Sequence, residues 1–296
     1  MANFYKPSGN VPGSSPLIIL AALVAGAVLA PLYAAVSLYV PYIYANIVLV
    51  FFYGGAVGLA GGAVAKGTLT LNPPVAGLFS VIGGLAGFAV SWTVWLALVI
   101  NFNGAAFPGF REVLDFLCAP GEWGLLLTEP GVMVDIAKHI NGTGLWSIGK
   151  SSRSTVSGLP LLGVWIGEVA IFVVAAATVA AASARSPYSA EARAFLRSEG
   201  QLPRGAVGPE DPSQLSMVTA GLAQGDLGYL CSPETGLAEK GDTGFFVNFR
   251  SHAGSPWGTA SVVWNLKKGK KTETAKVVDN VIVTSQTMQA IRQRLG

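Results

Sequence analysis

Residues 159–182 read LPLLGVWIGEVAIFVVAAATVAAA: 24 residues with one ionisable side chain, Glu168. A 30 Å hydrocarbon layer needs about 20 predominantly apolar residues of helix to cross it. Three further stretches of the same kind, 17–40, 42–65 and 75–100, precede this one. The predicted fold class is an α-helical membrane domain of four transmembrane helices followed by a small soluble α+β domain. Its boundaries are a flexible head over 1–16, a bundle over 17–184 with a long connection at 101–158, and a tail domain over 185–296.

Composition supports this division. Of 296 residues, 51% are hydrophobic and only 12% charged, against about a quarter charged in soluble proteins. The ionisable residues collect behind the last apolar stretch: six basic and six acidic residues precede Arg185, against 13 and 10 from Arg185 onward. That surplus is too small for nucleic acid, which calls for a clustered basic face. The first apolar stretch is longer than the core of a secretory signal and is interrupted by Pro31, so it reads as a retained helix.

Lys6, Lys66 and the group Arg185, Arg193 and Arg197 fall on one side if four helices alternate. The positive-inside rule makes that side the cytoplasm, with both termini there. Tyr39, Tyr42, Tyr44, Trp92, Trp95 and Trp165 then share the opposite interface. Helices one and two turn tightly at Val40 and Pro41, and the connection 101–158 carries two amphipathic helical patterns that lie on the membrane or cap the bundle. In the tail, Ser189 to Glu199 and Ser213 to Ala223 read as helices. Phe245 to Arg250, Ala260 to Leu266 and Lys276 to Thr284 read as strands, and Ser285 opens a final helix.

Cys118 and Cys231, like His139 and His252, are assigned to opposite faces of the membrane, so neither a disulfide nor a zinc site is expected, and no cofactor is implied. Gly144 to Ser151 satisfies the phosphate-loop spacing. Pro160 close behind it and the lack of a preceding buried strand argue against nucleotide binding. Asn141-Gly142-Thr143 matches a glycosylation acceptor and also suits a turn.

Three features remain as candidate sites. Glu168 is the ionisable residue inside a span, where a carboxylate costs about 2.5–3.5 kcal/mol on insertion scales and turns toward protein or water. If ionised, it needs a cation such as Lys66 or a wet cavity. Gly54, Gly58 and Gly62, then Gly83 and Gly87, then Gly163 and Gly167 recur at four-residue spacing and predict close helix packing, within one chain or between copies. Lys267, Lys268, Lys270 and Lys271 form a basic turn that can meet anionic lipid headgroups.

The opening Phe4-Tyr5-Lys6-Pro7-Ser8-Gly9-Asn10-Val11-Pro12, followed by paired apolar helices and a globular tail, resembles uncharacterised bacterial multi-span inner-membrane proteins. The resemblance implies the layout and no function. The leading expectation is a non-enzymatic anchor or scaffold whose cytoplasmic tail binds a protein partner, with a homo-oligomer as a further possibility. The alternative is a small proton- or cation-linked transporter or channel using Glu168. No H-E-x-x-H, G-x-S-x-G or paired-acid pattern supports an enzyme.

Overall fold

The computed structural model describes all residues except 1–3, 40–42, 103–108, 145, 148–154, 210, 240–241, 254, 269–270 and 296. The chain divides at Arg185 into an apolar helical unit and a tail unit. The tail unit also takes in the N-terminal residues as far as Pro7.

The helical unit is built on α1 (Leu17–Tyr39), α2 (Ile43–Gly67), α3 (Pro73–Phe102) and α7 (Leu159–Ala184). All four are long and apolar enough to cross a bilayer, and the ends of each fall within about two residues of an expected span. Pro73 and Pro160 stand in the first turns of α3 and α7, where a missing N–H costs nothing. α3 is the most enclosed of the four. Leu20, Val24 and Val28 of α1, Phe51 and Phe52 of α2, and Ile166 and Val174 of α7 are exposed. Such an apolar exterior is stable against lipid tails and aggregation-prone in water.

Glycine decides how the bundle closes. A Cβ at Gly54 would stand 2.6 Å from the carbonyl oxygen of Phe172, and one at Gly58 would stand 2.6 Å from that of Ala176. Gly62 meets Ser183 one turn further on. These contacts bring α2 against α7 backbone to backbone. Gly83 meets the backbone of Ile19, and a Cβ at Gly87 would lie 2.6 Å from Gly26 Cα, which seals α3 against α1. Among the described residues the expected third seam is not formed. Gly163 and Gly167 have nothing within 4 Å of where a side chain would begin, because they point away from the neighbours that their own helix packs on.

The connection 101–158 holds three helices where two were expected: α4 (Phe110–Leu117), α5 (Pro120–Thr128) and α6 (Pro130–Thr143), followed by a short pairing of β1 (Trp146–Ser147) with β2 (Thr155–Val156). Glu112 supplies the first cap by accepting from Gly109 N at 3.1 Å. Val113, Phe116, Met133, Ile136 and Ile140 join Trp95, Val99 and Leu161 in one cluster, so this segment caps one end of the bundle. Asn141 to Thr143 end α6 where a turn was expected. The phosphate-loop spacing and the Val40–Pro41 turn fall largely outside the described residues.

At the other end of the bundle the head is tied down, although it was expected as a flexible piece. Gly9 N donates to Leu71 O at 3.0 Å and Leu71 N donates to Asn10 O at 2.9 Å. The Ser15 and Thr70 hydroxyls meet at 2.8 Å in a buried position.

The tail unit is an antiparallel sheet with helices, as its alternating pattern implies. β6 (Arg204–Ala206), β7 (Leu237–Glu239), β8 (Gly244–Ser251), β9 (Trp257–Lys268) and β10 (Lys271–Thr284) run in the order β10-β9-β8-β6-β7, and β5 (Arg197–Gln201) also pairs with β8. Phe245, Val247, Phe249, Ala260 and Val262 form the core with Leu222 of α8 (Pro212–Ala223), Leu230 of α9 (Gly228–Cys231) and Ile291 of α10 (Ser285–Leu295). Asp211 caps α8 by accepting from Ser213 N at 3.0 Å. The segment 189–199 is not helical. It contributes to β3 (Tyr188–Ser189) and β4 (Ala194–Phe195), which pair with each other, and to β5. Arg193 turns there with φ 49°. Helix propensity in this stretch yields to the open edge of β8.

Residues 4 and 5 extend this sheet. Phe4 bridges Val281 antiparallel, Tyr5 N donates to Asn280 O at 2.9 Å, and Tyr188 N donates to the Tyr5 hydroxyl at 3.3 Å.

Candidate functional site

Glu168 sits on α7 three residues after Trp165, one turn along the same face. The same spacing logic places Tyr33 with Ser37 on α1 and Ser91 with Trp95 on α3, while α2 contributes Asn46. These residues and Trp92 line a partly open cavity of about 20 Å³ inside the bundle, to which all four long helices contribute. The volume falls below the usual range of small-molecule pockets and holds a water-sized guest.

The cavity is polar on one part of its wall and aromatic on the other. Glu168 is 6% exposed and Asn46 1%. Among the described residues no hydrogen bond reaches the Glu168 carboxyl, and Asn46 Oδ1 and Ser37 Oγ are buried without a partner. Ser91 Oγ donates to Phe88 O at 2.7 Å. Trp92 stands edge-on to Trp165, with centroids 5.1 Å apart, and to Trp95 at 5.7 Å. Those three indoles also belong to the cluster beneath α4–α6, so one side of the cavity is closed by the cap.

The middle of the bundle is filled by rings. Tyr33 stacks on Tyr53 at 5.0 Å, and Tyr53 and Phe88 both lean on Phe172, at 5.2 Å and 4.8 Å. The Tyr53 hydroxyl donates to Gly26 O at 2.7 Å and lies 3.2 Å from Gly87 O. A polar side chain thus ties α2 to the tight α1–α3 seam.

Lys66 does not serve Glu168. The cavity meets α2 at Asn46, and the 20 positions from there to Lys66 span about 30 Å of helix. Among the described residues no cationic side chain lines the cavity. Sequence reading found Glu168 and the three indoles but did not connect them to Ser37, Asn46 or Ser91, small polar residues scattered in apolar spans. An intramembrane Asn is itself the signal that could have been followed, since its amide needs partners.

In the tail unit the basic turn is partly neutralised. Lys267 Nζ meets Asp242 Oδ1 at 2.7 Å, and Lys271 is exposed on β10. Lys270 and the side chain of Lys268 lie outside the described residues. The Lys267 ammonium holds the Asp242 carboxyl below the ordinary range, and the same hydrogen bond raises Lys267. Cys118 and Cys231 are free thiols. Burial raises Cys231, with Arg294 opposing the effect. Among the described residues no cluster of His, Cys, Asp or Glu could hold a metal ion. The chain matches no family model, no curated protein and no solved structure.

Proposed function

We propose that the protein is a membrane anchor and scaffold: the four apolar helices span a bilayer, and the tail unit presents a folded surface to a protein partner on the membrane face that carries both termini. The observation that carries this reading is the double attachment of the tail unit. It takes in residues 4–7 as well as everything from Ser186, so the chain runs between it and the helical unit twice. Two connections restrain a domain more than one linker does, which suits presentation of a surface in a set place. An even number of spans is the topology that brings both chain ends to one face, and Lys6, Lys66 and Arg185 supply the positive charge that directs this face to the cytoplasm. A bacterial inner membrane fits the resemblance of the head and layout.

The glycine seams support the same reading. Helices locked backbone to backbone along two seams resist the rocking that a carrier needs. Transport through Glu168 therefore ranks second, supported by the buried carboxyl. Lys271 and its neighbours suit contact with anionic lipid, with Lys267 already engaged.

The test is purification of tagged full-length protein from its own membranes in mild detergent, with native mass and identification of what accompanies it, beside a chain ending at Arg185. A stoichiometric partner lost with the tail supports the scaffold. A bare homo-oligomer, together with proton flux in liposomes that Glu168→Gln abolishes, would replace it with the transport reading.

A further inference from the structure

The polar groups around the Glu168 cavity are incompletely paired, Ser37 Oγ among them. The carboxyl accepts from no described residue, Asn46 Oδ1 has no partner, and the Ser91 proton is already given to Phe88 O. Both Glu168 and Asn46 are more than nine-tenths buried and face the cavity. Leaving such acceptors empty in a low-dielectric interior is costly, and a guest that brings positive charge satisfies them.

The remaining wall favours the same kind of guest. Trp92, Trp95 and Trp165 line the same cavity, and indole faces attract cations. Among the described residues the lining carries one carboxyl and no cationic side chain, so a single positive charge balances it. Calcium takes six to eight oxygen ligands and magnesium a near-ideal octahedral set, which one carboxylate and a few neutral oxygens do not supply. The room available fits a guest the size of water, which excludes organic cations with bulky substituents.

We propose that Glu168 and Asn46 hold a compact monovalent cation, of the size class of sodium, potassium or ammonium, in a site inside the bundle. The proposal goes beyond the anchor reading and does not depend on it. The cation pins α7 to α2 at the capped end of the bundle, where Gly163 and Gly167 leave α7 without a tight glycine contact.

The test follows thermal unfolding of full-length protein in lipid nanodiscs against chloride salts of sodium, potassium, ammonium and choline at constant ionic strength. At least one small cation should raise the midpoint saturably while choline does not. Glu168→Gln should abolish the rise or move its half-saturation at least tenfold higher, and Asn46→Ala should weaken it less. Asn46→Ala also serves alone if Glu168→Gln does not fold. An equal response to choline, an equal response in both variants, or no response in the wild type would overturn the proposal, the last leaving a protonated acid with bound water. None of these results depends on partner capture.

Discussion

Tyr5 stacks on Trp257 with ring centroids 6.3 Å apart and an interplanar angle of 26°. Burial raises the Tyr5 hydroxyl above its ordinary range, as expected of a phenol held against a folded surface. Removing the ring by Tyr5→Ala should cost the tail unit about 1–2 kcal/mol. Hydrogen exchange on the full-length protein should show the amides near Asn280 and Trp257 opening about tenfold faster for each 1.4 kcal/mol lost. Unchanged protection there would mean that the head contributes nothing to the sheet.

The bulge in β10 offers a second test. Pairing with β9 shifts between Val278 and Val281, and Asn280 there has φ 51°. Asn tolerates this left-handed conformation and a β-branched residue does not. Asn280→Val should therefore lower tail-unit stability by about 1–3 kcal/mol, while Asn280→Gly should stay close to wild type. Denaturant midpoints of the two variants decide it, and the reverse order would contradict the assigned backbone.

Among the glycines the structure predicts a clean split. Gly58→Leu and Gly87→Leu force side chains into Ala176 and Gly26, and overpacking of this kind costs about 1–3 kcal/mol or more. Gly167→Leu meets open space and should leave the melting temperature of a single copy in detergent unchanged. A shift in native mass on Gly167→Leu, with unchanged melting of the monomer, would place a second copy against that face.

The Lys267–Asp242 pair gives a pH dependence of definite sign. Asp242 is depressed in the folded state, so its contribution is present above the unfolded carboxyl value and fades as pH falls through the folded value. Lys267 is raised, so its contribution is present below the unfolded lysine value and is lost as pH climbs through the folded one. Both groups are exposed, so the effect is small and sensitive to salt. Lys267→Met should return Asp242 to the ordinary carboxyl range in an NMR titration. No movement of the Asp242 midpoint would show that the pair does not form in solution.

The four long helices were legible because a span is a property of length and hydropathy, both local in sequence. The sheet from Gly244 to Thr284 was legible from alternation. Other features depended on partners far away in the chain. The stretch 189–199 has the Ala, Glu and Arg content of a helix, yet the edge of β8 claims part of it as β5. Gly163 and Gly167 carry the same spacing as Gly54 and Gly58, but spacing does not reveal which face of a helix meets a neighbour. The polar lining of the Glu168 cavity comes one or two residues at a time from separate helices, and only their assembly brings Asn46, Ser37 and Ser91 to the carboxyl.

The pairing of Phe4 with Val281 sets an order on biosynthesis. The ribosome makes Phe4 before the four apolar helices and Val281 after them, so residues 4 and 5 must stay available while every apolar helix is made. A bulky tag fused ahead of Phe4 would compete with the last step of assembly, whereas one placed after Leu295 would be made once that pairing is already possible.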